Sequence, residues 1–327
     1  MSARVSQTGR AALLALAAAS LALSPALAAD KIRFGVVEAK GDAGILFMPV
    51  KFGPKYGVDI EMMQFASSTT PVKALIAGDI DAFTTTPGVA LTAMSRGAKL
   101  KFVGCDWPGA TYTLYGAPGV KTVADLKGKS VGVSGPGSMP DLFAREVLAE
   151  KGLPENDVVF ANAGGGSDRF RALEAGVVKA TATTSEFEPE AKKRGMTILA
   201  RAHDQTPNFA RNCIVTSDRV IATKRDALVR MLAARMDGLA YAKSHRAETV
   251  ALARQIAKLP PTDTSAEYIY DEAIRQNDVD PKLVIATAKL QWIEDMLVRH
   301  KTVDKALDVK AFIDDGPRQA ALKLIKP

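Results

Sequence analysis

A two-lobed α/β protein is the architecture this 327-residue sequence predicts, and three observations carry it. Strand-like runs alternate with helix-like runs between residues 32 and 184, joined by short polar links, the pattern of parallel sheets covered by helices. The length exceeds the roughly 100–200 residues that one core typically uses. A stretch also recurs: residues 74–86 read ALIAGDIDAFTTT and residues 172–184 read ALEAGVVKATATT, identical at seven of thirteen positions. Both copies run from a helix end through glycine into a strand ending in threonine, as expected of two lobes built alike.

The elements follow in order. Residues 32–37 read as a buried strand, and residues 43–52 as a helix ending at Gly53-Pro54. Residues 58–65 form the next strand, 72–77 a helix closed by Gly78, and 80–85 a third strand. Residues 88–95 are helical, closed by Gly97, and 100–104 give a fourth strand. The alternation resumes after Gly119 with a helix over 123–126, a strand over 130–133, a helix over 141–151 and a strand over 158–161. A helix over 169–175 and a strand over 179–184 complete it. From Lys224 the chain turns helical, with Leu228, Met231, Leu232, Met236, Leu239 and Ala240 at helical spacing. Pro260-Pro261 and Gly316-Pro317 interrupt this last third.

Composition removes several function classes. The net charge of +7 is spread along the chain, with no Lys/Arg-rich block of the kind that marks a nucleic-acid surface. Three histidines and two cysteines, all far apart, leave no metal-ligand spacing, and no cofactor is expected. Cys105 beside Asp106, with His203 elsewhere, is the one nucleophile arrangement on offer, and the expectation is a protein that is not an enzyme.

The first segment reads as an address. Arg4 and Arg10 precede an apolar run that ends in Ala26-Leu27-Ala28, the layout of a secretory signal peptide over residues 1–28. Pro25 and the shortness of the run argue against a membrane span. Its removal leaves +5 and a protein exported into an oxidising compartment.

Five segments share one form: a strand exit, a polar or glycine-rich loop, then a helix start. They contribute Glu38, Lys40 and Asp42; Ser67, Ser68 and Thr69; Thr85 and Thr86; Ser134, Gly137 and Ser138; and the run Gly164-Gly165-Gly166-Ser167-Asp168. Thr70-Pro71 and Thr86-Pro87 each read as a helix cap followed by proline. Free N–H groups at helix starts favour anions, and strand C-termini in open α/β sheets face the ligand crevice. Thr184 ends the second repeat, with Glu186 just beyond it. Trp107, placed after its strand, offers a ring to stack on a flat ligand, and Arg211 offers an anion partner. The Ser134 loop lacks the lysine of a phosphate-binding loop, and the Gly164 run lacks the dinucleotide pattern.

The segment Thr122-Val123-Ala124-Asp125-Leu126-Lys127-Gly128-Lys129, followed by Val131-Gly132-Val133, is similar to the start of the second lobe in periplasmic substrate-binding proteins of ABC importers. Ala74-Leu75-Ile76-Ala77-Gly78-Asp79-Ile80-Asp81-Ala82 resembles their first-lobe signature, and the branch is the one handling sulfonates, nitrate, taurine and thiamine precursors. The resemblance implies the two-lobed type II periplasmic-binding-protein fold. Lobe one would comprise residues 29–115 and 212–327, and lobe two residues 116–211. It further implies a monomeric periplasmic receptor that hands a small-molecule ligand to an inner-membrane ABC permease with its ATPase.

Combined with the charge and the helix starts, the resemblance leads to a small organic anion, such as a sulfonate or aromatic carboxylate. The acidic residues leave open a zwitterion or a thiamine-precursor-like heteroaromatic. An enzyme on the same scaffold and a sensing role are further alternatives. The family commonly carries Asp where this chain has Lys179, and the cysteine-rich stretch of the related fungal enzymes is missing. In the implied fold Cys105 ends the last strand before the first crossing and Cys213 begins the returning strand, which brings the pair within disulfide reach.

Overall fold

A computed structural model describes residues 30–37, 42, 44–65 and 67–325. The address segment 1–28 and the candidates Glu38 and Lys40 lie outside the described residues.

Ten strands form two sheets. β1 (Asp30–Val37), β2 (Val58–Phe65), β3 (Ala82–Thr85) and β4 (Leu100–Trp107) belong to the first, while β5 (Tyr112–Gly116), β6 (Ser130–Val133), β7 (Val159–Asn162), β8 (Ala180–Thr184) and β9 (Thr197–Arg201) form the second. β10 (Asn212–Ser217) returns to the first sheet. The orders are β2-β1-β3-β10-β4 and β7-β6-β8-β5-β9. β1 and β6, each between two neighbours, pair with them in parallel. In each sheet the fourth strand is the newcomer from the other lobe, and it runs antiparallel: β10 against β3 and β4, β5 against β8 and β9. The chain therefore passes between lobes within residues 108–111 and 202–211. The first passage lies a few residues before the expected boundary at 115, because every ladder partner of β5 is in the second sheet.

Two expected elements need correction. The helix over 43–52 begins later, as a π-helical turn at Met48–Phe52, and runs on through Gly53–Lys55 instead of stopping at Gly53-Pro54. Pro54 lies within that last turn. The fourth strand runs three residues beyond Gly104 to Trp107. Trp107 is therefore a sheet residue, 1% exposed in the core of lobe one, and its ring is no free stacking surface.

The helices bury what their spacing announced. Leu228, Met231, Leu232, Met236 and Leu239 of the helix Arg225–Ser244 pack with Ile32, Phe34 and Ile60 of the first sheet. Helices Thr70–Ala77 and Pro87–Ser95 end at Gly78 and Gly97, both in the left-handed conformation (φ 86° and 90°) that glycine adopts without penalty. A second apolar core runs continuously through both lobes, including Phe83, Leu142, Leu290 and Leu297.

The sequence repeat is a structural one. Residues 74–86 and 172–184 each supply a helix end, a left-handed glycine (Gly78, Gly176) and the third strand of their sheet, β3 and β8. The Asp81 and Lys179 positions, where the copies differ, sit at the opposite end of these strands from the threonines. Asp81 is buried there and pairs with Arg33 (2.9 Å) and Lys224 (3.0 Å), while the Lys179 ammonium donates to Gly176 O. The difference thus concerns the sheet's lower rim and not the ligand end. Cys105 of β4 and Cys213 of β10 are joined by a disulfide (Cα–Cα 3.8 Å), at a register shift between the two strands.

Candidate functional site

Residues at or beyond the C-terminal ends of β1, β2, β3, β6, β7 and β8 line a cavity of about 770 Å³, its open mouth included. Lobe one lines it with Val36, Val37, Asp42, Ile45, Ser68, Thr84, Thr85 and Thr86. Lobe two adds Tyr112, Ser134, Met139, Gly166, Arg169, Thr184 and Glu186, while Arg211 comes from the second passage and Asn212 from the start of β10. The hydroxyls of Ser68, Thr85, Thr86 and Thr184 are shielded from solvent and have no hydrogen-bond partner among the described residues. Thr86 holds the cap position of the helix Pro87–Ser95, yet its side chain makes no capping bond. Thr70 is already the first residue of its helix, whose cap position is Thr69. Buried hydroxyls left without a partner cost about 1–3 kcal/mol each, so a bound solute that accepts from or donates to them recovers that cost.

Arg169 is the charged residue that the sequence reading did not single out. It lies in the first turn of the helix Gly166–Glu174, 2% exposed. Its guanidinium donates to Ala182 O (2.8 Å), Gly164 O (2.8 Å), the Ser134 hydroxyl and the Tyr112 hydroxyl (3.4 Å). All four partners are neutral. Arg169 thus has no counter-anion among the described residues; a buried cation in that position carries a large desolvation cost, and this one faces the cavity. The signal was an arginine just inside the helix that follows the glycine-rich loop.

Lobe two also brings the Glu186 carboxylate to the cavity, and across from it lobe one carries a charged group. Asp42 accepts from Arg235 (2.6 Å), which also donates to Asp106 from Nε (3.1 Å) and Nη2 (2.7 Å). Thr84 donates to Asp106 as well (3.2 Å). Burial holds the Asp106 carboxyl above its ordinary value, with Arg235 opposing the shift. One guanidinium thus serves two carboxylates. Arg211 lies on the Trp107 ring, 4.3 Å from its centre, and donates to the Thr111 hydroxyl (3.0 Å). Trp107 therefore acts beneath an arginine of the wall and not on a ligand.

The remaining candidates fall beside the cavity. The Ser67 hydroxyl bonds within its own turn to those of Thr69 (3.2 Å) and Thr70 (2.9 Å). Ser138 is fully buried at the start of the helix Met139–Glu150, next to the wall residue Met139. Gly137 belongs to the contact that closes the lobes on each other. A Cβ on Gly88 would lie 2.4 Å from Gly137 O, and one on Gly137 would lie 2.8 Å from the Thr92 hydroxyl. Only glycines let the helix start at Gly88 and the loop at Gly137 come so near.

Further links span the lobes: Arg299 to Glu146 (2.8 Å), His300 to Glu155 (3.1 Å), and Ser185 to Glu272. The hydrogen bond from His300, with Arg299 adding to it, holds the Glu146 carboxyl below its ordinary value despite partial burial. The Cys105 sulfur is bonded to Cys213, so the arrangement of Cys105 with His203 offers no thiolate in this structure. No group of three or more potential metal ligands occurs among the described residues, and none of their helices is long and apolar enough to cross a membrane.

Comparison with known proteins agrees with this geometry. The family model described as NMT1/THI5 like matches residues 54–249, and the chain belongs to that family. A protein of Brucella abortus named as a binding protein is 24% identical over 267 residues, which is 79% of this chain and 81% of that one. The alkanesulfonate-binding protein SsuA from Xanthomonas axonopodis pv. citri, bound to MOPS, superposes with a TM-score of 0.73 at 20% identity, covering 87% of this chain and 98% of that one. The periplasmic nitrate-binding protein NrtA from Synechocystis PCC 6803 superposes with a TM-score of 0.76 at 15% identity, covering 91% and 89%. The two-lobed periplasmic-binding-protein fold is thereby shown, with helices making up its last third.

Proposed function

We propose that this chain is an exported solute receptor that takes a small organic anion, of sulfonate or aromatic carboxylate type, between its lobes and delivers it to an ABC permease with its ATPase. The observation that carries the reading is Arg169, a buried guanidinium at the cavity wall whose partners are all neutral. An anion supplies the missing charge, and the threonine hydroxyls of both lobes supply donors to it. The solved relatives that bind a sulfonate or nitrate support the class.

The receptor does no chemistry on its ligand. Thr86 and Thr184 stand on different lobes, so a solute touches both only when the lobes are together. That differential affinity shifts the population towards the closed form. Asp42 and Glu186 on the same wall support a second reading, a heteroaromatic with a basic nitrogen.

A thermal-shift screen decides between them, since a ligand at 100 times its Kd stabilises by about 2.7 kcal/mol. Sulfonates or carboxylates should raise Tm without being turned over. If only cationic or neutral heterocycles do, the anion reading is wrong. Amino-terminal sequencing of the protein from its own cells should begin near Ala29, and a mature chain retaining Arg4 would refute export.

A further inference from the structure

His300 stands where the two lobes touch, outside the cavity wall. It follows the helix Thr287–Arg299, which packs on the helix Pro87–Ser95 of lobe one, and its side chain is 7% exposed. Both ring nitrogens face carboxylates of lobe two: Nδ1 lies 3.1 Å from Glu155 Oε2, and Nε2 lies 3.4 Å from Glu146 Oε2. A carboxylate only accepts, and a neutral imidazole has a single N–H, so one nitrogen would turn its lone pair towards an anion. Two donations require the imidazolium. Neither glutamate is placed to hold the proton instead. Glu155 Oε2 also accepts from Arg145 (2.7 Å) and Glu146 from Arg299 (2.8 Å), and the hydrogen bond from His300 holds the Glu146 carboxyl below its ordinary value. The local charges agree. Facing the ring are Asp141, Arg145 and Glu146 from the helix Met139–Glu150, Glu155 from the turn beyond it, and Arg299 beside it. Glu150 and Lys151, further along, pair with each other (3.6 Å). Three carboxylates against two guanidiniums leave one negative charge, which a protonated His300 balances.

We propose that lobe closure takes up a proton at His300, so that acid favours the closed form and with it the capture of a solute. The device needs only that the two lobes open and close, whatever the ligand. Opening draws the ring, on lobe one, away from both glutamates of lobe two and returns it to solvent, where a histidine gives up its proton near pH 6.5. The closed form therefore binds the proton better than the open one. By linkage this latch contributes in full below that range and fades as pH rises above it. The lowered Glu146 value sets the other limit, since its side of the pair is lost only when pH falls far enough to protonate the carboxylate. A solute that requires closure then binds more tightly in acid, by up to about 10-fold per pH unit where a whole proton is taken up. Two other histidines titrate in the same range. His245 stacks on Tyr241 within lobe one, and His203 bonds to Asp278 (3.0 Å) at the second passage.

The experiment reads the lobes directly, in the full mature chain with no solute added. Ile76 and Val177 are exposed, one on each lobe, each just before a strand whose other end reaches the cavity. Ile76→Cys and Val177→Cys take nitroxide labels, while the native cysteines stay in their disulfide. Double electron–electron resonance then gives the distance between lobes. The ratio of closed to open is expected to rise about 5-fold or more between about pH 8 and about pH 5.5, and by less than about 2-fold in His300→Gln. Should that variant fail to fold, Glu146→Gln with Glu155→Gln is expected to lose the response in the same way. A distance independent of pH in the labelled protein, or a full response retained in His300→Gln or in the paired glutamine variant and so arising at His203, would overturn the proposal and leave the receptor reading standing.

Discussion

At the end of β3, lobe one offers the cavity three threonines and the start of a helix; at the end of β8, lobe two offers Thr184 and then a short turn carrying Glu186. The strand orders of the two sheets match, as do their left-handed glycines and the place of the antiparallel strand. The charges do not match. Lobe one has the Asp42–Arg235–Asp106 group, and lobe two has Arg169 among neutral partners. The lesson is that a repeated fold sets where a ligand lies, while a few unrepeated residues set what it is.

Arg169 is where the comparison is most easily broken. Arg169→Gln should weaken ligand binding by about 30-fold or more, since truncating a buried charge partner costs about 2–5 kcal/mol. Arg169→Lys should recover only part, because a lysine cannot reproduce the fork to Ala182 O and Gly164 O. Titration calorimetry measures both. Binding unchanged in Arg169→Gln would remove the asymmetry between the lobes.

Replacing both cysteines, Cys105→Ala with Cys213→Ala, is the next largest change and bears on stability. The bond closes a loop of 108 residues that contains the whole of the second sheet. Its loss should cost roughly 2–5 kcal/mol by chemical denaturation. An unchanged denaturation midpoint would mean that the strand ladder alone ties the two passages together.

The glycine contact gives a subtler test. Gly88 lies in a helix, where alanine is intrinsically better by about 1 kcal/mol. Its Cβ, however, would lie 2.4 Å from Gly137 O on the other lobe. Gly88→Ala should therefore weaken binding several-fold while leaving Tm without ligand level or higher. A drop in that Tm with affinity intact would place the role of Gly88 inside lobe one.

The matched threonines sharpen the comparison further. Thr86→Val and Thr184→Val should each weaken binding about 5–10-fold, the value of roughly one hydrogen bond. An effect confined to one of them would show that the ligand favours one lobe.

The smallest expected effect concerns pH. The hydrogen bond that His203 donates to the Asp278 carboxylate (3.0 Å) raises the pKa of His203, with burial opposing it. A raised value means that this link to the second passage contributes fully below the ordinary value of 6.5 and fades as pH rises through the folded one. Tm should fall slightly more steeply on the alkaline side than in Asp278→Asn, where the slope should flatten.

The repeat made the fold and the threonine corners legible, since seven identities mark both the glycine turns and the strand ends that reach the cavity. Charge was less legible. Arg169 lies inside a helix, and attention to loops and caps passes over it. The strand pattern is readable only over residues 100–104, which leaves Trp107 beyond it. In the fold Gly104 makes room for Leu283, whose Cβ would be 3.1 Å from a side chain there, and the strand continues. Local pattern cannot distinguish a glycine that ends a strand from one that admits a neighbour distant in sequence.

Capture between the lobes is tested most directly by small-angle X-ray scattering of the mature protein titrated with the tightest-binding acid. The expected result is a radius of gyration that falls to a plateau at one equivalent in the unaltered protein and does not change in Arg169→Gln. A radius of gyration that stays unchanged while the same ligand saturates the unaltered protein calorimetrically would contradict capture by the two lobes.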